Sequence, residues 1–395
     1  MSEREFSSAE ALLKIDKIIH SLNLNAVVRY TDHTQLVATA DLFDNKNNLV
    51  DSGAGKGPDA RVGALAESIE HFSTFLPKKD DTPAQRCDFL ATQQDAESDG
   101  FMTGLPCKSE TMDTYKLTTI DLTKELFVPR TLLHPLIEIN SWNKASENTK
   151  FLSRYSSNSG VAFGCTKNEA LLHGIHEIIE RHILSRLFMA VCSIGPAIKL
   201  YTPSKTLLAT ALQNNTSALA LAEKLQIIII KDFMNVYFSV ALPKSGPGDL
   251  HLSPIGSGCS LDICTAIQRA VTEQFQVDAL YDHSQEIADR KTLDFLAGST
   301  TLKNLIDLAP IKDLDLPVFD PPLKGLTKSV LQQLEILNNQ VSATGRNIYY
   351  RIVTQYSDNG TVCQSYIPGL ERFNIIRNGI LVAPQRILRQ TAKNS

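Results

Sequence analysis

Pairs of acidic or amide side chains stand three residues apart at three separate places in the chain. They are Glu67/Glu70, Glu177/Glu180 and Glu273/Gln276, and each pair follows a stretch that contains small residues. Side chains three apart on a helix share one face, with about 5–6 Å between their Cβ atoms. Carboxylates gathered in this way suit Mg²⁺, a hard cation that takes oxygen ligands and often brings substrate phosphates with it. The spacing therefore predicts a magnesium–phosphate site.

The helix predicted near 168–192 carries four of the candidate residues. Glu169 and Glu180 are separated by almost three helical turns and lie along one stripe, with Glu177 to its side and Arg181 beyond. Apolar residues fill the other side, so this helix is expected to pack in a core, where charged groups need partners. A structural ion-pair network explains the helix alone. A metal–phosphate site explains it better once the other pairs are included.

The elements that must position these residues alternate between helix and strand, which favours an α/β or α+β architecture. Glycines at 53, 55 and 57, and again at 256 and 258, predict flexible turns before the helices that carry Glu67 and Glu273. In the first half of the chain, the other predicted elements are a helix after a capping box at Ser7–Glu10, strands and a turn over 25–50, and a polar surface excursion over 78–115. The second half is predicted to contain two strands around a tight Met234–Asn235 turn and a long helix over 262–284. A loop or linker over 306–326 and a helix that leads into a strand near 347–356 follow.

Composition excludes several classes of protein. The 395-residue chain has a formal net charge of −4, which excludes a generally basic nucleic-acid binder. Its beginning lacks a signal-peptide pattern, and no apolar run is long enough to span a bilayer. Seven scattered cysteines without a Cys-x-x-Cys pair fit neither a disulfide scaffold nor a zinc finger. A cytoplasmic protein with reduced cysteines is predicted.

Two competing kinds of site find little support. A di-iron bundle needs Glu-x-x-His on its helices, and none of the nine histidines follows a glutamate by three residues. The histidines of the acidic helices are therefore interpreted as surface or hydrogen-bonded residues: His71, His173, His176 and His182. No local signature supports a Cys/His catalytic pair.

Three stretches resemble the motifs of the YcaO family. GKGPDARVGALAESIEH resembles its GKG…A-R-x-S-A-x-x-E-x-x-E-R, and SNSGVAFGCTKNEALLHGIHEIIERH resembles its S-N-G-x-x-x-G-N-T-x-x-E-A-x-x-x-G-x-x-E-x-x-E-R. GSGCSLDICTAIQRAVTEQFQ resembles its G-x-G-x-x-x-D-x-x-x-A-x-x-R-A-x-T-E-x-x-Q, and IPGLERF is similar to a segment near the end of many members. Motif order and approximate intervals agree over residues 52–373.

The resemblance implies one YcaO-type domain over 1–395, with a small N-terminal subregion over about 1–50 and a C-terminal subregion over about 327–395. Its helices would pack on β-sheets around a central site for ATP and Mg²⁺. The implied activity is transfer of the γ-phosphate to a peptide backbone amide, mostly by positioning and charge neutralisation. Implied partners are a precursor peptide, a separate leader-peptide-binding protein and a second copy of the chain, with no nucleic acid or membrane.

The motif matches also imply roles for single residues. Five glutamates would hold Mg²⁺, namely Glu67, Glu70, Glu177, Glu180 and Glu273. Nucleotide contacts would come from Lys56, Asn158, Glu169, Arg181 and Gln276. Among these residues, catalysis would depend on Glu180, Arg181 and Glu273.

The chain departs from the family pattern at several positions, which are Gly63 for serine, His71 for arginine, Ala162 for a serine of some members, Cys165 for asparagine and Asp278 for arginine. It also ends QRILRQTAKNS, without the Pro-x-Pro-x-Pro tail of many azoline-forming members. Azoline-forming cyclodehydration of Cys, Ser or Thr is the leading expectation. Thioamide formation with external sulfide is the second. A degraded subunit that binds peptide or partner is the third.

Overall fold

A computed structural model describes residues 3–75, 83–135, 145–245, 252–312, 314–322 and 328–394. Helices pack against antiparallel sheets, so the predicted mixed α/β class is confirmed. The helices are α1 (Ser8–Ser21), α2 (Ala60–Phe75), α3 (Cys87–Thr92), α4 (Gly100–Thr103), α5 (Arg130–Leu133), α6 (Glu147–Ser153), α7 (Lys167–Val191), α8 (Lys205–Ala211), α9 (Thr216–Ala222), α10 (Ile263–Ala279), α11 (His283–Ala297), α12 (Asn304–Asp307), α13 (Val330–Ser342) and α14 (Gln385–Asn394).

The strands form two small meanders, one larger sheet and a short pair. They are β1 (Asn25–Tyr30), β2 (Val37–Phe43), β3 (Leu49–Lys56), β4 (Ala84–Arg86), β5 (Thr111–Thr119), β6 (Glu125–Pro129), β7 (Val161–Gly164), β8 (Thr202–Pro203), β9 (Leu225–Phe233), β10 (Val236–Pro243), β11 (Gly256–Ser260), β12 (Val318–Phe319), β13 (Tyr349–Tyr356) and β14 (Gly360–Tyr366). The meanders run β1-β2-β3 and β11-β10-β9, and the larger sheet runs β4-β5-β13-β14-β7 with β6 beside β5. Only β8 and β12 pair in parallel among the described strands.

Helix α7 is the most deeply buried of the acidic helices. Ile175, Ile179 and Ile183 are fully buried in the largest hydrophobic cluster, which also includes residues of α13 and β14. A second cluster joins α1 and α2 to β2 and β7, and a third joins α8 and α10 to β9. The apolar side of α7 therefore packs in a core, as its sequence pattern predicts.

Glycines in two strands let helices lie directly on the sheet. Gly55 belongs to β3 and Gly256 to β11, so the prediction that these glycine-rich stretches are turns is wrong there. A Cβ on Gly55 would lie 1.9 Å from the Ala60 carbonyl oxygen, and one on Gly256 would lie 2.1 Å from the Ala270 carbonyl oxygen. Because glycine has no Cβ, each helix can lie close against its strand at these positions. Gly57 alone of this set has a positive φ, of 79°, and it makes the turn into α2.

Several local predictions agree with the structure. Ser7 and Glu10 form the expected capping box at the start of α1, and β1 and β2 occupy the predicted strand region. Met234 and Asn235 both have positive φ, of 49° and 48°, in the tight turn between β9 and β10. Helix α13 and strand β13 also lie where the sequence indicates.

Three other predictions differ in part from the structure. The described part of 78–115 is not a polar surface excursion, because it contains α3, α4 and a buried face with Phe101 and Met102; residues 78–82 lie outside the described ranges. The long helix over 262–284 is interrupted, since α10 ends at Ala279 and the Asp282 side chain caps α11. The 306–326 loop contains the short β12, and 313 and 323–327 are outside the described residues.

Candidate functional site

The three acidic helices repeat one arrangement of small and acidic residues. Each has a small residue, then another four positions later, then a carboxylate or amide side chain three and six positions after that. The three sets are Ala60/Ala64/Glu67/Glu70 in α2, Ala170/Gly174/Glu177/Glu180 in α7, and Ala266/Ala270/Glu273/Gln276 in α10.

The small residues are the points where each helix touches a strand or the chain beside it. A Cβ on Gly258 would lie 2.4 Å from the Ala266 carbonyl oxygen of α10, a close contact of the same kind as that between Gly55 and α2. A Cβ on Gly174 would lie 2.6 Å from the Gly160 carbonyl oxygen. Each backbone contact sets the position of a helix against its neighbour, and the acidic pair follows within the next two helical turns. This small-residue spacing is the signal that the sequence contains and that inspection of the glutamates alone misses.

The acidic pairs of all three helices line one cavity of about 510 Å³, within the range of small-molecule sites. It brings together nine of the ten candidate residues, namely Lys56, Glu67, Glu70, Glu169, Glu177, Glu180, Arg181, Glu273 and Gln276. Asn158 is the exception. It precedes β7, where its carbonyl oxygen accepts the Val161 N–H at 3.0 Å, and it is not among the residues of the cavity wall.

Four of the glutamates are held in place by hydrogen bonds from neighbouring elements. The donors are the Ala54 N–H to Glu67 (2.9 Å), the Phe163 N–H to Glu70 (3.0 Å), the Gly160 N–H to Glu177 (3.1 Å) and the Ser257 hydroxyl to Glu180 (2.7 Å). Each bond uses one carboxylate oxygen. The orientation of these side chains is therefore set by the surrounding fold, as precise binding sites require.

Like charges accumulate around the cavity. Burial raises the pKa of Glu70 well above its ordinary value, and the charges of Glu177 and Glu67 raise it further. Burial also raises the pKa of Glu177, where Arg181 opposes the shift. For Arg181, burial acts to lower the pKa, but the charges of Glu180, Glu273 and Glu177 outweigh it and raise the pKa. The site thus has an excess of negative charge that a cation would relieve.

A magnesium–nucleotide complex fits these residues by donor type. In the described part of the chain, no group of three or more His, Cys, Asp or Glu side chains is arranged to hold a metal ion. The carboxylates share a cavity instead, which suits Mg²⁺, because Mg²⁺ usually binds one or two carboxylates and completes its shell with phosphate and water. Lys56 Nζ lies 2.5 Å from Glu273 Oε2, so one carboxylate of the cavity wall is already paired with a lysine.

The histidines do not all behave as the sequence predicts. His182 accepts the Glu371 N–H at 3.0 Å, and burial, with the charge of Arg186, lowers the pKa of His182 to about 3. His173 and His176 both line the cavity. Within the described residues, Nδ1 of His173 and both ring nitrogens of His176 are buried without a hydrogen-bond partner. His176 is buried rather than on the surface, and its Nδ1 lies 3.5 Å from a carboxylate oxygen of Glu3.

One departure from the family pattern has a structural explanation, and a second lies in the cavity wall. Gly63 faces β3, where a Cβ would lie 3.2 Å from the Gly55 Cα, so a glycine suits this close contact. Cys165 lines the cavity, and burial raises the pKa of its thiol to about 11. Cys165 is therefore a neutral thiol at neutral pH, and its N–H donates to Glu169 at 2.8 Å.

Comparison with known families confirms the resemblance seen in the sequence. A family model described as YcaO cyclodehydratase, ATP- and Mg²⁺-binding, matches residues 53–371. The prediction of ATP and Mg²⁺ as cofactors is confirmed at the level of that family. A search of curated protein sequences finds no significant match. Within the described ranges, every helix is too short or too polar to cross a membrane.

Solved structures share the fold at low sequence identity. A heterocyclase in complex with substrate and cofactor is 16% identical with a TM-score of 0.64, over 93% of this chain and 53% of that one. The chain thus spans about half the length of that heterocyclase. YcaO from Methanopyrus kandleri, bound with AMPPCP and Mg²⁺, is 16% identical with a TM-score of 0.63, over 96% of both chains. A chain of the E. coli microcin synthetase McbBCD complex is 15% identical with a TM-score of 0.54, over 87% of this chain and 86% of that one.

Proposed function

Because the chain belongs to the YcaO family, we propose that it uses ATP and Mg²⁺ to activate backbone amides of a ribosomally made precursor peptide. The leading reaction is azoline-forming cyclodehydration at Cys, Ser or Thr. The observation that carries the proposal is the meeting of three acidic helices and Arg181 at one cavity. Phosphoryl transfer depends mainly on positioning and charge neutralisation, and this arrangement suits both.

The carboxylates of the cavity would hold the metal. We assign Mg²⁺ ions to Glu67, Glu70, Glu177, Glu180 and Glu273, with one or two carboxylates on each ion and phosphate and water completing its shell. Neutralising this group would remove the repulsion from Glu177 and Glu67, which adds to burial in raising the pKa of Glu70. The four hydrogen bonds from neighbouring elements hold Glu67, Glu70, Glu177 and Glu180 ready before a ligand arrives.

Positive and polar groups would orient the nucleotide. When bound, Mg·ATP supplies the transferable phosphoryl group. Arg181 keeps its charge in spite of burial, because three glutamates surround it, and it would stabilise negative charge as it develops. Lys56, Glu169 and Gln276 line the same cavity and are assigned to the nucleotide. Asn158 is left out of the proposed contacts, because it does not line the cavity.

The similar structures suggest the wider context. One heterocyclase binds a substrate, and the microcin synthetase chain works within a complex that is also known with pro-MccB17 bound. By analogy we propose a peptide substrate, a separate partner protein that recognises its leader, and a homodimer of this chain.

Mass spectrometry of the peptide product tests the reaction. The protein is incubated with Mg·ATP, the precursor peptide and the partner encoded beside it. Loss of one water per modified residue supports cyclodehydration, and exchange of an oxygen for a sulfur when sulfide is supplied supports thioamide formation instead. An unmodified peptide together with no binding of Mg·ATP would refute both enzymatic proposals and leave the non-catalytic subunit.

A matched variant should lose turnover while it keeps its fold. Glu180→Gln keeps the size and the hydrogen-bonding capacity toward Ser257 but removes a metal-ligating charge. Its thermal unfolding is compared with that of the unchanged protein, so that lost turnover is not mistaken for lost folding.

A further inference from the structure

Residues ahead of α1 occupy one corner of the cavity. Glu3 is buried, with 8% of its surface exposed, although it lies only a few residues from the start of the chain. Its Oε2 lies 2.6 Å from Arg269 Nη2, and its Oε1 accepts the Ser260 hydroxyl at 2.5 Å. His176 Nδ1 lies 3.5 Å from Oε2. We name Arg269, Ser260 and His176 the anion corner.

The charge on Glu3 is what the anion corner recognises. Burial acts to raise the pKa of Glu3, but Arg269 and His176 outweigh it and hold the pKa well below its usual range. Charge-assisted hydrogen bonds of this kind are roughly twice as strong as neutral ones. Glu3 is therefore an ionised carboxylate that neutralises Arg269.

The anion corner adjoins the acidic group of the site. Arg269 lines the same cavity and also feels the charge of Glu180. The next residues of the segment touch a further candidate contact, since the Glu5 N–H donates to Glu169 Oε1. The Glu3–Phe6 segment thus uses both a cation and an acceptor of the cavity wall.

We propose that Glu3–Phe6 is an autoinhibitory segment, whose Glu3 carboxylate fills the anion corner in the free protein and must leave before a phosphate-bearing ligand can reach Arg269. The identity of that ligand as ATP rests on the proposed function. A phosphate on Arg269 would lie against the Glu3 carboxylate, which already takes an Arg269 N–H group, and the two like charges would repel each other. Ligand affinity is therefore reduced by the fraction of molecules in which Glu3 is bound.

The experiment compares Mg·ATP binding by calorimetry in the unchanged protein, Glu3→Gln and Glu5→Gln. Glu5→Gln is the matched control, because it removes the same charge only two residues from Glu3. The Glu5 side chain is exposed, and its contact with Glu169 is made by the backbone N–H. Loss of one charge-assisted bond predicts that Glu3→Gln binds Mg·ATP about tenfold more tightly, whereas Glu5→Gln binds as the unchanged protein does.

A second measurement needs no variant. Hydrogen exchange at the Glu5 amide is followed in the unchanged protein, where addition of Mg·ATP should speed exchange because the bond to Glu169 breaks. Equal or weaker binding by Glu3→Gln, or slower exchange with Mg·ATP, overturns the inference and makes the segment a wall of the binding site. If no variant binds Mg·ATP, the proposed function fails and the autoinhibitory role fails with it.

Discussion

Replacing Gly55 by alanine tests whether the close packing of α2 on β3 positions the site. The added Cβ would lie 1.9 Å from the Ala60 carbonyl oxygen and 2.4 Å from the Ala64 amide nitrogen. Cβ contacts below 3.0 Å are essentially never seen, so strand and helix must separate by at least about 1.1 Å, the difference between 3.0 and 1.9 Å. The obstructing atoms belong to the backbone and cannot rotate away. Glu67 and Glu70 must move with their helix.

Two consequences are expected from this displacement. Overpacking costs about 1–3 kcal/mol of unfolding free energy, which urea denaturation measures. Misplacing the glutamates by about 1 Å should lower turnover about 100-fold under conditions where the variant stays folded. The control is Gly298→Ala, since the nearest atom to a Cβ there is 3.6 Å away and φ is ordinary. Unchanged stability in Gly55→Ala refutes the packing argument, and normal turnover in a destabilised variant refutes its link to the site.

Three further substitutions test charges in the cavity. Glu180→Gln should abolish turnover while the melting temperature stays within a few degrees, and retained turnover would contradict its metal role. Glu70 has a raised pKa in the folded state, so the folded protein binds more protons than the unfolded one between about pH 4.5 and that raised value, and stability falls as pH rises through this window. Urea denaturation in EDTA should show a shallower fall for Glu70→Gln, and an identical slope would refute the raised pKa of Glu70. Lys56→Met frees Glu273 from a partly exposed bridge worth about 1 kcal/mol, so calorimetry with Mg²⁺ alone should show roughly fivefold tighter binding, whereas unchanged affinity would exclude competition between Lys56 and the metal.

Local rules were sufficient to predict α1, α2, α7 and α13 and to place each acidic pair on one face of its helix. The i, i+3 spacing of Glu67/Glu70 and Glu177/Glu180 depends only on helix geometry. The Ser7–Glu10 capping box likewise follows from neighbours in the chain. Such features are readable from sequence because the interacting groups are within one or two turns of each other.

Long-range contacts explain what the sequence did not reveal. Gly55 and Gly256 were interpreted as turn residues, because nothing local indicates that a helix lies on the strand that contains them. Glu3 pairs with Arg269 across 266 residues, and no periodicity signals such a pair. Asn158 matched a family motif but is not among the residues of the cavity wall. In each case the missing information was which surfaces meet in three dimensions.

The free protein balances part of the charge in its cavity with its own side chains. Lys56 neutralises Glu273, and Glu3 neutralises Arg269. Both internal partners carry the sign of the ligand group that we expect to replace them, a divalent cation for Lys56 and a phosphate for Glu3. A metal alone could replace only the first, and a phosphate alone only the second. A ligand that brings both charges together would release both pairs at once, so this cavity should favour the metal–nucleotide complex over either of its parts.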